Sequence, residues 1–69
     1  MLNKNALKGA IVTKGLTQED VAIILGVSRK TFSEKLRKGV FLSSEIGAMM
    51  KLLDIEDPRG IFFADDVAQ

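Results

Sequence analysis

The sequence predicts an all-α fold, a compact bundle of about five short helices. Three observations predict it. Apolar residues recur at helical spacing, as in Ile46, Met49, Met50 and Leu53, which fall at i, i+3, i+4 and i+7. Glycine punctuates the chain at Gly15, Gly26 and Gly39, each just past a helix-like segment, where the last turn of a helix is readily closed. Side chains suited to capping open the segments that follow: Thr17, Ser28, and Ser43 or Ser44.

The first helix is expected from Asn3 to Lys14, with Leu7, Ala10 and Ile11 on one face. Thr17 caps the second, with Asp20 three residues on as the short form of a capping box. That helix ends near Leu25, and Val21, Ile24 and Leu25 are expected to supply its apolar area. Gly26-Val27-Ser28 then leaves only three residues before the third helix, Ser28 to Lys38, so the two helices must meet at a steep angle. Phe32 and Leu36, at i and i+4, form the buried stripe of helix three. Val40-Phe41-Leu42 could be taken for a strand, but its neighbours argue for a loop. Helix four follows from Ser43 or Ser44. Asp54 to Pro58 is a loop, and Asp57-Pro58 reads as N-cap and first residue of a short fifth helix carrying Ile61, Phe62 and Phe63. The tail from about residue 64 to 69 is expected to fray.

The chain has 69 residues and reads as one domain over 1–69. It contains no Cys and no His, which removes disulfides, thiolate or imidazole metal sites, and the commonest catalytic base. The acids fall as neighbours (Glu19–Asp20, Asp65–Asp66) or in the loop at Asp54, Glu56 and Asp57, where they do not converge on a substrate. A domain this small has little volume for a deep pocket. The reading is therefore of a non-enzyme with no catalytic residue, metal ligand, cofactor or small-molecule substrate. No apolar run approaches the about 18 residues of a membrane span, and no signal-peptide core is present, which fits a cytoplasmic protein.

The net charge of +1 conceals an uneven distribution. Residues 28–40 carry Arg29, Lys30, Lys35, Arg37 and Lys38 against Glu34, a surplus of +4, whereas residues 41–69 set Lys51 and Arg59 against six acids, −4. A basic run alone is more often a solvated face. Here it lies on the second of two helices joined by a three-residue turn, which is the helix-turn-helix arrangement of DNA-binding proteins. Residues 17–39, TQEDVAIILGVSRKTFSEKLRKG, closely resemble the phage Cro- and repressor-type (XRE-like) helix-turn-helix family. Gln18 matches the family's opening Gln, Ala22 its small residue, Gly26 its turn glycine, and Val27-Ser28 the residues that lead into its recognition helix. The Gly-Leu before Thr17 and the helix from Ser43 to Leu53 are also similar. One position departs: many relatives have an apolar residue where Lys35 stands, with Leu36 one place later.

The resemblance implies a lambda-repressor-like domain that docks helix three in the major groove of double-stranded DNA. Base edges would be read at Arg29, Lys30, Ser33 and Glu34. Arg and Lys donate to guanine O6 and N7, and Glu accepts from cytosine N4. Phosphates would be held by Gln18 and Ser28 near helix N-termini, with Lys35, Arg37 and Lys38 adding charge. A homodimer on a two-fold-related site is expected, because one helix reads too few base pairs for useful specificity. These 69 residues have no room for the separate C-terminal domain of longer repressors, so unless they are an N-terminal fragment the resemblance favours a Cro-like phage or prophage repressor. The competing reading is a protein-binding helix-turn-helix module, such as an antirepressor or antitoxin subunit, supported by the acidic C-terminal third and the Phe62–Phe63 pair.

Elsewhere the plainer readings prevail. Met49 and Met50 are core fillers. Lys4, Lys8 and Lys14 are solvated, with Lys14 able to reach a phosphate. One short helix cannot easily bury both Phe62 and Phe63 against so small a core. Core packing is their default role, and a dimer seam the alternative.

Overall fold

α1 (Lys4–Thr13) begins where the side-chain oxygen of Asn3 accepts from the Ala6 N–H at 3.1 Å. That satisfies one of the donors every helix start leaves unpaired. The computed structural model describes residues 2–63, so the expectation of a fraying tail from about residue 64 lies outside the described residues.

α2 (Gln18–Leu25) opens on a complete capping box. Thr17 Oγ1 accepts from the Asp20 N–H (3.1 Å), and Asp20 Oδ2 accepts from the Thr17 N–H (2.8 Å). These bonds, the Thr17 amide first, hold the Asp20 carboxyl below its ordinary value. The ionised form therefore sits at the positive end of α2. The helix closes at Gly26, whose φ of +77° is left-handed. A Cβ added there would meet nothing within 4 Å, so the requirement for glycine comes from the backbone alone. Gly26→Val is expected to cost more than about 1 kcal/mol, because a β-branched residue resists φ > 0, while Gly26→Asn costs less. The chain has no Trp or Tyr, so far-UV circular dichroism against denaturant is the practical probe. Equal midpoints for Gly26→Val and the parent would contradict a left-handed Gly26.

α3 (Arg29–Lys38) is capped by Ser28 Oγ, which accepts from the Thr31 N–H at 3.0 Å. It ends at Gly39, again left-handed, with φ +74°. α4 (Ser43–Leu52) starts where the sequence predicts, but neither serine hydroxyl caps it. Glu45 does this from inside the helix, its Oε1 accepting from the Leu42 N–H at 2.8 Å.

The expected fifth helix is a single 3₁₀ turn, Pro58–Gly60, so the described residues hold four α-helices and no strand. Asp57 caps the turn as expected, accepting from the Arg59 N–H at 3.0 Å. The Arg59 guanidinium first and that N–H second hold the Asp57 carboxyl down at about 2. The Ile61 carbonyl accepts from the Asn3 N–H at 2.7 Å. This bond ties the last described segment to the start of α1.

The core gathers Leu7 and Ile11 from α1, Val21 and Ala22 from α2, Phe32 and Leu36 from α3, and Met49 from α4. Leu53, Leu2 and Phe62 close it. The Phe32 ring is fully buried, tilted 50° against Phe41 with centroids 5.7 Å apart. One core assignment is corrected. Ile24 is 52% exposed, and the face of α2 that packs on α1, α3 and α4 is Val21, Ala22 and Leu25. Phe62 is buried, whereas Phe63 stays at the surface beside Val40, Phe41 and Ile46. Among the described residues no helix is long and apolar enough to cross a membrane.

Candidate nucleic-acid interface

With Phe32 and Leu36 turned inward, the 100° step of a helix puts Lys30, Glu34, Arg37 and Lys38 on the outer side of α3, away from the buried stripe. Lys30, Glu34 and Arg37 are exposed, as is Arg29, the first residue of α3, and Ser33 is half-buried on the flank. Shallow grooves run along the two sides of the helix. One, of about 400 Å³, is lined by Lys30, Thr31, Glu34, Lys35, Lys38 and Val40. The other, of about 310 Å³, is lined by Lys4, Lys8, Gln18, Ser33, Leu36 and Arg37.

The side chains on this surface are partly committed to one another. Arg37 Nη2 donates to Glu34 Oε2 at 2.8 Å, one turn apart. That hydrogen bond, and then the Arg37 charge, hold the Glu34 carboxyl below its ordinary value, so Glu34 offers acceptors only. Both side chains are about half exposed or more, so the pair contributes little to stability. The Ser28 hydroxyl is engaged with Thr31, accepting from its N–H and donating to its Oγ1 at 3.0 Å. The charges of Lys35, Arg37 and Lys38 fall in the last turn of α3, where they also complement the negative end of the helix dipole.

Lys35 does not join the outer face. Its Nζ lies 3.2 Å from Glu45 Oε1, the same oxygen that accepts from the Leu42 N–H. The Glu45 side chain is 9% exposed and that of Lys35 25%. One carboxylate oxygen thus joins the end of α3, the 39–42 loop and the start of α4. The Lys35 ammonium thus leaves the solvated face to meet a nearly buried anion.

The structure therefore brings Gln18, Ser33 and Arg37 together on one flank, and Lys30, Glu34 and Lys38 on the other. It adds Lys4 and Lys8, which the sequence reading leaves as solvated charges. They stand at i and i+4 on α1, a spacing visible in the sequence, but nothing local indicates that this face of α1 lies beside α3. Lys4 Nζ donates to the Arg37 carbonyl at 2.5 Å, across 33 residues of chain. Lys14, by contrast, pairs with Asp54, a non-glycine residue with a left-handed φ of +54°.

The class so defined is a small all-helical domain with a largely cationic outer helix flanked by a second basic element. The chain belongs to the DUF739 family, whose model, described as "Protein of unknown function (DUF739)", matches residues 2–65. No curated protein and no solved structure matches the chain significantly.

Proposed function

We propose that the protein is a sequence-specific DNA-binding transcriptional regulator of helix-turn-helix type, which lays α3 in the major groove. A Cro-like phage or prophage repressor is the form that its resemblance favours. One observation carries the reading: α2 and α3 are joined only by Gly26-Val27-Ser28, with Gly26 left-handed and Ser28 capping, and α3 turns Arg29, Lys30, Glu34 and Arg37 to solvent. A short cap-to-cap junction with a basic second helix is what insertion between two phosphate ridges requires. In this assignment Arg29, Lys30, Ser33 and Glu34 read base edges, and Gln18, Arg37 and Lys38 hold phosphates. Arg37 engages only Oε2 of Glu34, which leaves Oε1 to accept from a cytosine. Ser28 acts chiefly as the cap that fixes the start of α3, and Lys35 supports α3 through Glu45.

Selection of bound duplexes from a random pool tests the proposal. A two-fold-related consensus is expected, with half-site centres about 34 Å apart and two chains per duplex. A one-to-one complex on a single half-site contradicts the dimer. The protein-binding reading is favoured by the exposed Val40, Leu42 and Phe63. Enrichment of no sequence, together with weak affinity for random DNA that salt does not alter, would select it.

A further inference from the structure

Lys4 and Lys8 place two ammonium groups along one face of α1, and Gln18, Ser33 and Arg37 complete the wall of the groove they border. Three helices contribute, and no carboxylate is among the lining residues. The geometry is held from both sides. Lys4 is anchored on the Arg37 carbonyl at the end of α3, and Gln18 is fixed at the first position of α2 by the Thr17–Asp20 box behind it. The Arg37 guanidinium gives one donor to Glu34 and has others to offer, as do the ammonium groups, the Gln18 amide and the Ser33 hydroxyl. Such a set suits an oxyanion bearing several acceptor oxygens. Its neighbour, the outer face of α3, is the surface assigned to the DNA bases.

We infer that this groove between α1 and α3 is a backbone-phosphate clamp. Lys4, Lys8, Gln18 and Arg37 grip the DNA strand that flanks the major groove, with Ser33 at the border between this groove and the bases, and α1 thereby sets how deeply α3 enters. The inference rests on the DNA-binding reading and adds α1 to a site otherwise confined to α2 and α3.

The test is the slope of log affinity against log KCl for duplex DNA, measured on the selected sequence and on a scrambled one. Every phosphate that the protein ceases to neutralise makes the slope shallower by about 0.9. Lys8→Gln is the principal variant, because Lys8 is exposed and glutamine keeps a comparable helix propensity, so the fold is retained and circular dichroism confirms it. Lys8→Gln is expected to reduce the slope by about one on both duplexes. Lys51→Gln, an exposed lysine of α4 outside the groove, should leave it unchanged. Slopes for Lys8→Gln equal to the parent's, while Lys38→Ala lowers them, would overturn the clamp and leave the DNA reading standing. Equal losses for Lys8→Gln and Lys51→Gln would reduce the groove to general charge and also overturn it. A parent protein without salt-dependent DNA affinity would overturn both.

Discussion

Phe32→Ala is expected to remove about 3–5 kcal/mol of stability, the range for deleting a fully buried phenyl ring from a packed core. The ring is 0% exposed, rests on Phe41, and sits among core residues from all four helices. A chain of 69 residues has roughly 3–10 kcal/mol in total. The variant should therefore melt about 12–40 °C lower or lack a cooperative transition. Ile24→Ala, on the outward side of α2, should stay within about 0.5 kcal/mol of the parent. Comparable losses for the two would mean that α2 is rotated and that its true inner face contains Ile24.

Glu45→Ala should have the second largest effect, about 1.5–3 kcal/mol. It strips the acceptor from the Leu42 N–H and leaves the largely buried Lys35 without its counter-charge. The cost falls below that of breaking a fully buried pair because a quarter of the Lys35 side chain reaches water. Glu45→Gln keeps a side-chain oxygen for Leu42 and should cost less. Adding Lys35→Leu to Glu45→Gln should restore stability to about that of the parent or above it, since an apolar side chain then replaces a desolvated charge. Urea midpoints of the parent, Glu45→Gln, Lys35→Leu and the double variant give the cycle. Additive losses in the double variant would show that Lys35 and Glu45 do not act as a pair.

These two cases mark where the fold is legible in the sequence and where it is not. Caps and stops are local chemistry, so Thr17, Ser28, Gly26 and Gly39 can be read from neighbours within a few residues, and the bounds of α2 and α3 follow. The inner face of α2 cannot. Ile23-Ile24-Leu25 is a continuous apolar run inside an eight-residue helix, and periodicity does not say which member turns inward. The bond from the Asn3 N–H to the Ile61 carbonyl, which joins residues far apart in the chain, likewise has no local sequence signal. At the candidate site, the outer residues of α3 are legible because Phe32 and Leu36 fix its inner side. The pairing of Lys35 with Glu45 is not, since a lysine within a basic run reads as one more solvated charge. Lys4 and Lys8 escape a sequence reading for a related reason: their proximity to Arg37 depends on how α1 packs.

The central claim is that α3 reads sequence as well as adding charge. The most direct measurement compares Arg29→Ala and Lys38→Ala on selected and scrambled duplexes over a range of salt. Arg29, exposed at the first position of α3, has a planar fork able to pair with guanine through two hydrogen bonds. Its loss should cost about 1–3 kcal/mol on the selected duplex and less on the scrambled one, so the ratio of specific to non-specific affinity falls. Lys38, the last residue of α3, faces the DNA backbone in the proposed complex. Its loss should weaken both duplexes alike and lower the salt slope by about one. Identical behaviour of the two variants on both duplexes would make α3 an undifferentiated basic surface and contradict the claim.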